Sequence, residues 1–177
     1  GATTTLLSTI AGGTATAGIT IGQAVDLTSS ASVTLGEAAD TITLDILTES
    51  NVTVDAGEHA TTDTGVNDTL KLAGANNQGL TVIDLSSTTD QVTQINGAVN
   101  SVATTNFESV DLSGFTNTTQ GATITGTDEA NTIVGSPGND VITAGKLADT
   151  ITGGDGVDTL IGGTGDDLFI VTATTDL

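Results

Sequence analysis

Short stretches of alternating apolar and polar residues recur along the first 125 positions. They are Ile19-Thr20-Ile21, Val33-Thr34-Leu35, Ile42-Thr43-Leu44-Asp45-Ile46, Val52-Thr53-Val54, Leu70-Lys71-Leu72 and Val110-Asp111-Leu112, with a less regular version from Leu80 to Leu85. Alternation at period two gives each stretch one core side and one solvent side, which is the pattern of a half-buried β-strand. Gly, Asn, Asp or Ser bounds each stretch and turns the chain. Strands of three to five residues, returning every ten to fifteen, predict an irregular short-stranded β-solenoid or a sandwich-like region over residues 1–125. One stretch departs from this. Val92, Ile95, Val99 and Val102 follow a 3-4-3 spacing and predict a short amphipathic helix between Thr89 and Thr104, weakened by Gly97 and the nearby Asn residues.

The composition shifts near Gly121. From Gly126 glycine becomes dense and the pattern locks to nine residues: GTDEANTIV (126–134), GSPGNDVIT (135–143), AGKLADTIT (144–152), GGDGVDTLI (153–161) and GGTGDDLFI (162–170). The sixth position reads Asn131, Asp140, Asp149, Asp158, Asp167, and the eighth reads Ile133, Ile142, Ile151, Leu160, Phe169. A flexible Gly/Asp linker has no reason to hold five apolar residues in one register. The pattern is that of the calcium-binding nonapeptide G-G-x-G-x-D-x-U-x, which the last two units match at every fixed position. Residues 126–170 therefore predict a parallel β-roll, with 171–177 as a C-terminal tail.

The chemistry follows from the residue types. Glycine allows the sharp turn and close backbone approach that aim carbonyl oxygens at one point. Asp adds a hard anionic oxygen, suited to Ca²⁺ with its six to eight oxygen ligands. One solenoid turn uses two units, so each ion is expected between unit n and unit n+2. Three pairs result: Asp140 with Asp158, Asp149 with Asp167, and a weaker Asn131 with Asp149. The glycines expected to shape these loops are Gly135, Gly138, Gly153, Gly154, Gly156, Gly162, Gly163 and Gly165. Leu147 stands where unit three should have its fourth-position glycine, and unit one lacks its second- and fourth-position glycines, so those loops are expected to bend differently. The Asp140–Asp158 pair is the best formed of the three on sequence.

Charge agrees with a cation partner. The chain has 22 acidic residues, two lysines and no arginine, for a net charge of −20. Such a chain repels a phosphate backbone and an anionic membrane surface, so nucleic acid is not an expected partner. No apolar run approaches the length of a membrane span, so membrane insertion is not expected either. Within 126–170, eight acids stand against Lys146, a net of −7. Three Ca²⁺ would nearly cancel it. Five apolar side chains are a thin core for 45 ordered residues, so this segment is expected to fold with calcium and unfold without it. Apolar residues are 36 % of the chain, only three residues are aromatic (Phe107, Phe115, Phe169), and Cys, Met, Trp and Tyr are absent. Without cysteine there is no disulfide framework and no thiolate metal site. The opening at Gly1 shows no signal-peptide core and reads as a processed or excised piece.

Other constellations carry less. His59, the one histidine, lies near Asp55, Glu58 and Asp63 but reads as a solvated loop residue. No G-x-S-x-G is present. Carboxylate pairs of the glycosidase kind lack aromatic sugar platforms here. An enzyme is therefore not expected. Gly36 to Ile42 and Gly65 to Leu70 echo the loop-then-strand pattern in degenerate form, either as further calcium loops or as ordinary Asx turns. Thr-Ile-Thr at 41–43, 123–125 and 150–152 shares no single solenoid period along the chain.

Gly153-Gly154-Asp155-Gly156-Val157-Asp158-Thr159-Leu160 and Gly162-Gly163-Thr164-Gly165-Asp166-Asp167-Leu168-Phe169 resemble the repeats of RTX proteins, over about 45 of 177 residues. The resemblance implies type I secretion, folding in calcium-rich surroundings outside a bacterial cell, and a roll closed by an aromatic last unit. The stretch Phe107–Gly114 running into Ala122–Gly126 is similar to the junction before the roll in RTX-type bacterial surface-layer proteins, which share the Thr, Ala, Gly and Val richness. Pore-forming helices, an acylation region and an evident secretion signal are missing. Three readings result. The first is a calcium-binding structural protein of a surface layer or extracellular matrix, at the cell surface, self-associating and in contact with cell-surface polysaccharide. The second is an adhesin segment or the non-catalytic tail of a secreted hydrolase. The third, an enzyme in its own right, has no candidate residues.

Overall fold

The computed structural model describes residues 7–11, 20–25, 27–45, 52–57, 67–74, 80–95, 97–99, 102–116 and 119–172. All regular structure among them is strand. The strands begin with β1 (Leu7–Ala11), β2 (Thr20–Val25), β3 (Leu27–Thr34), β4 (Thr41–Asp45), β5 (Val52–Asp55) and β6 (Thr69–Gly74). There follow β7 (Thr81–Asp84), β8 (Val92–Ile95), β9 (Ala98–Val99), β10 (Val102–Thr105), β11 (Ser109–Phe115) and β12 (Ala122–Thr125). The nonapeptide units supply β13 (Thr132–Val134), β14 (Val141–Lys146), β15 (Thr150–Thr152), β16 (Thr159–Thr164) and β17 (Leu168–Ile170).

Strands two units apart stack in parallel and in register. One sheet runs β17-β15-β13-β11-β6-β4-β2, a second β16-β14-β12-β7-β8-β9, and a third β1-β3-β5-β10. The register aligns the inward residues into columns: Ile42, Leu70, Val110, Ile133, Ile151 and Phe169 in the first sheet, and Ile83, Ile124, Ile142 and Leu160 in the second. All of these are buried except Leu160 and Phe169 at the last turn. The single apolar residue of each short strand, chosen by period-two alternation, thus becomes one step of a continuous core. The arrangement upstream is the stacked solenoid rather than a sandwich. Both long sheets cross the composition shift, since β13 lies on β11 and β14 on β12.

The helix expected between Thr89 and Thr104 is not formed. Residues 92–95 and 98–99 form β8 and β9, joined antiparallel through Ile95 and Ala98, and β10 follows. Gly97 turns between them with φ 73° and donates its N–H to the Leu80 carbonyl at 2.8 Å. The β-branched Val92, Thr93, Ile95 and Val102 favour a pleated surface over a helix, and Val92, Ile95 and Val102 are buried from these strands. His59, Ile19 and residues 173–177 lie outside the described residues.

Candidate metal centre

Each nonapeptide folds as a loop followed by a strand step, which β14 and β16 carry on into the start of the next unit, and the loops stack along two edges of the roll. The first-position glycine is set by contact. A Cβ on Gly135 would run into Asp140 Oδ2 and the Gly153 carbonyl, and one on Gly153 or Gly162 would strike the carboxylate of Asp158 or Asp167. The sixth-position carboxylate therefore folds back over the start of its own loop.

Second-position glycines serve a different end. Gly145, Gly154 and Gly163 have φ of 128°, 108° and 103°, which side-chain-bearing residues rarely adopt. Fourth-position Gly156 and Gly165 also lie at positive φ, and so does Leu147, at 61°. The loop of unit three keeps the turn of its neighbours despite the leucine, contrary to the different bend its sequence suggests. Gly138 instead has an ordinary φ, and a Cβ there would strike the Gln120 carbonyl.

The three expected pairs are brought together. The N–H of Asp140 donates to Asp158 Oδ1 at 2.8 Å, that of Asp149 to Asp167 Oδ1 at 3.1 Å, and that of Asn131 to Asp149 Oδ1 at 2.8 Å. In each pair the later carboxylate reaches back across one turn. Asp140 and Asp149 are each about 1 % exposed. Burial pushes the Asp140 carboxyl up to about 6, with the charge of Asp158 adding to it, and burial together with Asp167 raises that of Asp149.

Asp149 Oδ2 is buried and accepts no hydrogen bond. A buried carboxylate oxygen in that condition is costly unless a cation or proton meets it. Neither lysine is at hand: Lys71 pairs with Asp111 at 2.7 Å and Lys146 with Asp128 at 2.7 Å. A buried carboxylate oxygen left without a hydrogen bond is a hard anionic donor of the kind Ca²⁺ takes. Asp149 and Asp167 would hold an ion on one edge of the roll, with Asp158 on the other edge beside Asp140, and an ion so held would cross-link two turns and neutralise their stacked charge.

Some contributors were not evident from sequence. Ser136 is buried; its hydroxyl donates to Asp140 Oδ1 at 2.8 Å and its N–H to Oδ2 at 2.8 Å, while Ala122 N–H reaches Oδ1 at 2.5 Å. Upstream, the N–H of Asp40 donates to Asp68 Oδ1 at 2.6 Å, and that of Asp68 to Glu108 Oε2 at 2.8 Å. The pattern of the repeats is thus continued on irregular spacing. Of the two degenerate loops, Gly36–Asp40 closes with Gly36 N–H on Asp40 Oδ2 at 2.8 Å, the contact that Ser136 makes with Asp140 in the repeats; residues 65 and 66 of the other lie outside the described residues.

The sequence profile of the RTX calcium-binding nonapeptide repeat matches residues 125–146 and 148–169, in four copies. No curated protein and no solved structure matches the chain. The roll is an array of RTX repeats, a calcium-binding element typical of secreted bacterial proteins. No helix among the described residues is long and apolar enough to cross a membrane.

Proposed function

We propose that this chain is a structural segment of a bacterial surface layer or extracellular matrix, in which Ca²⁺ stiffens the roll and promotes association between copies. The observation that carries the reading is continuity. The RTX turns extend the sheets of the upstream solenoid, so calcium bound at the repeats braces one long body rather than a separate tail. Association is supported by the outer turn, where edge strands β16 and β17 present Ile161, Leu168, Phe169 and Ile170 to solvent. An exposed apolar strand edge is a template for pairing with another chain.

Calcium titration followed by circular dichroism and light scattering together tests this. A gain of β signal with a rise in scattering is expected. A gain with flat scattering favours the adhesin segment or secretion tail. No calcium response from the whole chain would sink the calcium reading itself.

A further inference from the structure

The loops of the roll fall into two classes, divided by the residue at position two. In units three, four and five that residue is a glycine in the left-handed region: Gly145, Gly154 and Gly163. In units one and two it is Thr127 and Ser136, both outside that region. There its N–H closes onto the sixth-position side chain, Thr127 to Asn131 Oδ1 at 2.7 Å and Ser136 to Asp140 Oδ2 at 2.8 Å. Gly36, also with an ordinary φ, makes the same closure on Asp40 upstream.

Rotation about φ swings the residue-two N–H relative to the rest of the loop. At ordinary φ the amide meets the carboxylate and occupies the oxygen a cation would need; at positive φ it turns away. Unit three shows the result, for Asp149 is about 1 % exposed and its Oδ2 has no hydrogen bond. Unit two shows the opposite. Asp140 has both oxygens engaged, by Ser136 N–H, Ser136 hydroxyl and Ala122 N–H.

We infer that position two sorts the loops into calcium-loading and self-closed classes, and that one ion is held tightly, between the Asp149 and Asp167 loops. Of the three pairs, only that one joins two loops with a left-handed glycine at position two. Asp140–Asp158 joins a self-closed loop to an open one, and Asn131–Asp149 does the same. This reverses the order expected from sequence, where Asp140–Asp158 stands first. The inference rests on calcium binding by the repeats.

Ser136→Gly restores G-G-x-G-x-D in unit two, so it should unlock that loop. Equilibrium dialysis with radioactive calcium on the 177-residue chain is expected to count one more tight ion in Ser136→Gly than in the parent. Hydrogen exchange should show calcium-dependent protection newly acquired at residues 135–140. Asp140→Asn in the parent background is expected to leave the ion count unchanged. Loss of an ion in Asp140→Asn, or a folded Ser136→Gly that gains none, would overturn the inference. A parent chain that binds no calcium removes the underlying reading as well, which separates the two failures.

Discussion

Gln91 and Phe107 are joined twice: the Gln91 side-chain nitrogen donates to the Phe107 carbonyl at 2.8 Å, and its oxygen accepts the Phe107 N–H at 2.9 Å. The same nitrogen also reaches the Leu85 carbonyl at 2.7 Å. One buried amide thus satisfies three backbone groups where the chain detours through β8, β9 and β10. Gln91→Leu keeps the volume and strands those groups, so a loss of about 3 kcal/mol is expected. A urea midpoint shift in calcium-free buffer checks it, and an unchanged midpoint would show the bridge to be dispensable.

Leu147 holds a left-handed φ of 61° in a position where its neighbours have glycine. That conformation costs a side-chain-bearing residue about 1–2 kcal/mol. Leu147 is more than half exposed, so little packing is lost on its removal. Leu147→Gly is expected to raise stability by up to about 1 kcal/mol after the entropy of glycine is set against the relief. Leu147→Val, with a branched Cβ, should lower it. Paired thermal melts would decide, and equal melting temperatures would mean the strain is absorbed elsewhere.

Without metal, Asp140 makes stability depend on pH. Its folded carboxyl lies at about 6, above the ordinary 3.8, because burial disfavours the charge and Asp158 faces it. The folded state therefore holds the proton more tightly than the unfolded chain. That advantage is complete below about pH 4 and disappears as pH rises through 6. On the order of 3 kcal/mol separates the two ends. Denaturation in chelator between pH 4 and 7.5, with a stabilising osmolyte to keep the metal-free roll folded, should show the fall, and the slope should be much smaller in Asp140→Asn.

At Asp149 the sign of a substitution should depend on calcium. Asp149→Asn removes a buried charge, so the metal-free protein is expected to gain stability modestly. With calcium, the variant should lose most of the parent's metal-induced stabilisation, because linkage to a bound ion rises with affinity. Melts with chelator and with millimolar calcium provide the check. A variant that responds to calcium as the parent does would exclude Asp149 as a ligand.

The roll was legible because its period is constant. A nine-residue repeat puts Asp140 beside Asp158 and Asp149 beside Asp167, and the structure brings both pairs into hydrogen-bond contact. Upstream, the same edge relation joins Asp40 to Asp68 and Asp68 to Glu108, but across 28 and 40 residues. The 40-residue step contains the β8–β9 hairpin and β10, so no single spacing exposes it. The helix expected between Thr89 and Thr104 failed for a related reason. A 3-4-3 spacing also arises from three short strands and a glycine turn, and only tertiary pairing with β7 separates the cases. The closure of Ser136 on Asp140 was hidden because the match of unit two rests on its first and fourth glycines and its Asp, none of which shows that a serine in ordinary conformation aims its N–H at the carboxylate.

Strand β17 is held to β15 by three residue pairs, Thr150–Leu168, Ile151–Phe169 and Thr152–Ile170. Tension applied beyond Ile170 meets one hydrogen bond, from the Thr172 hydroxyl to the Gly154 carbonyl, before it reaches that short ladder. Each full turn freed would release 18 residues, lengthening the chain by about 60 Å. Under load the roll would pay out length in nearly equal steps, and an ion bridging two turns would set the force at which each step starts.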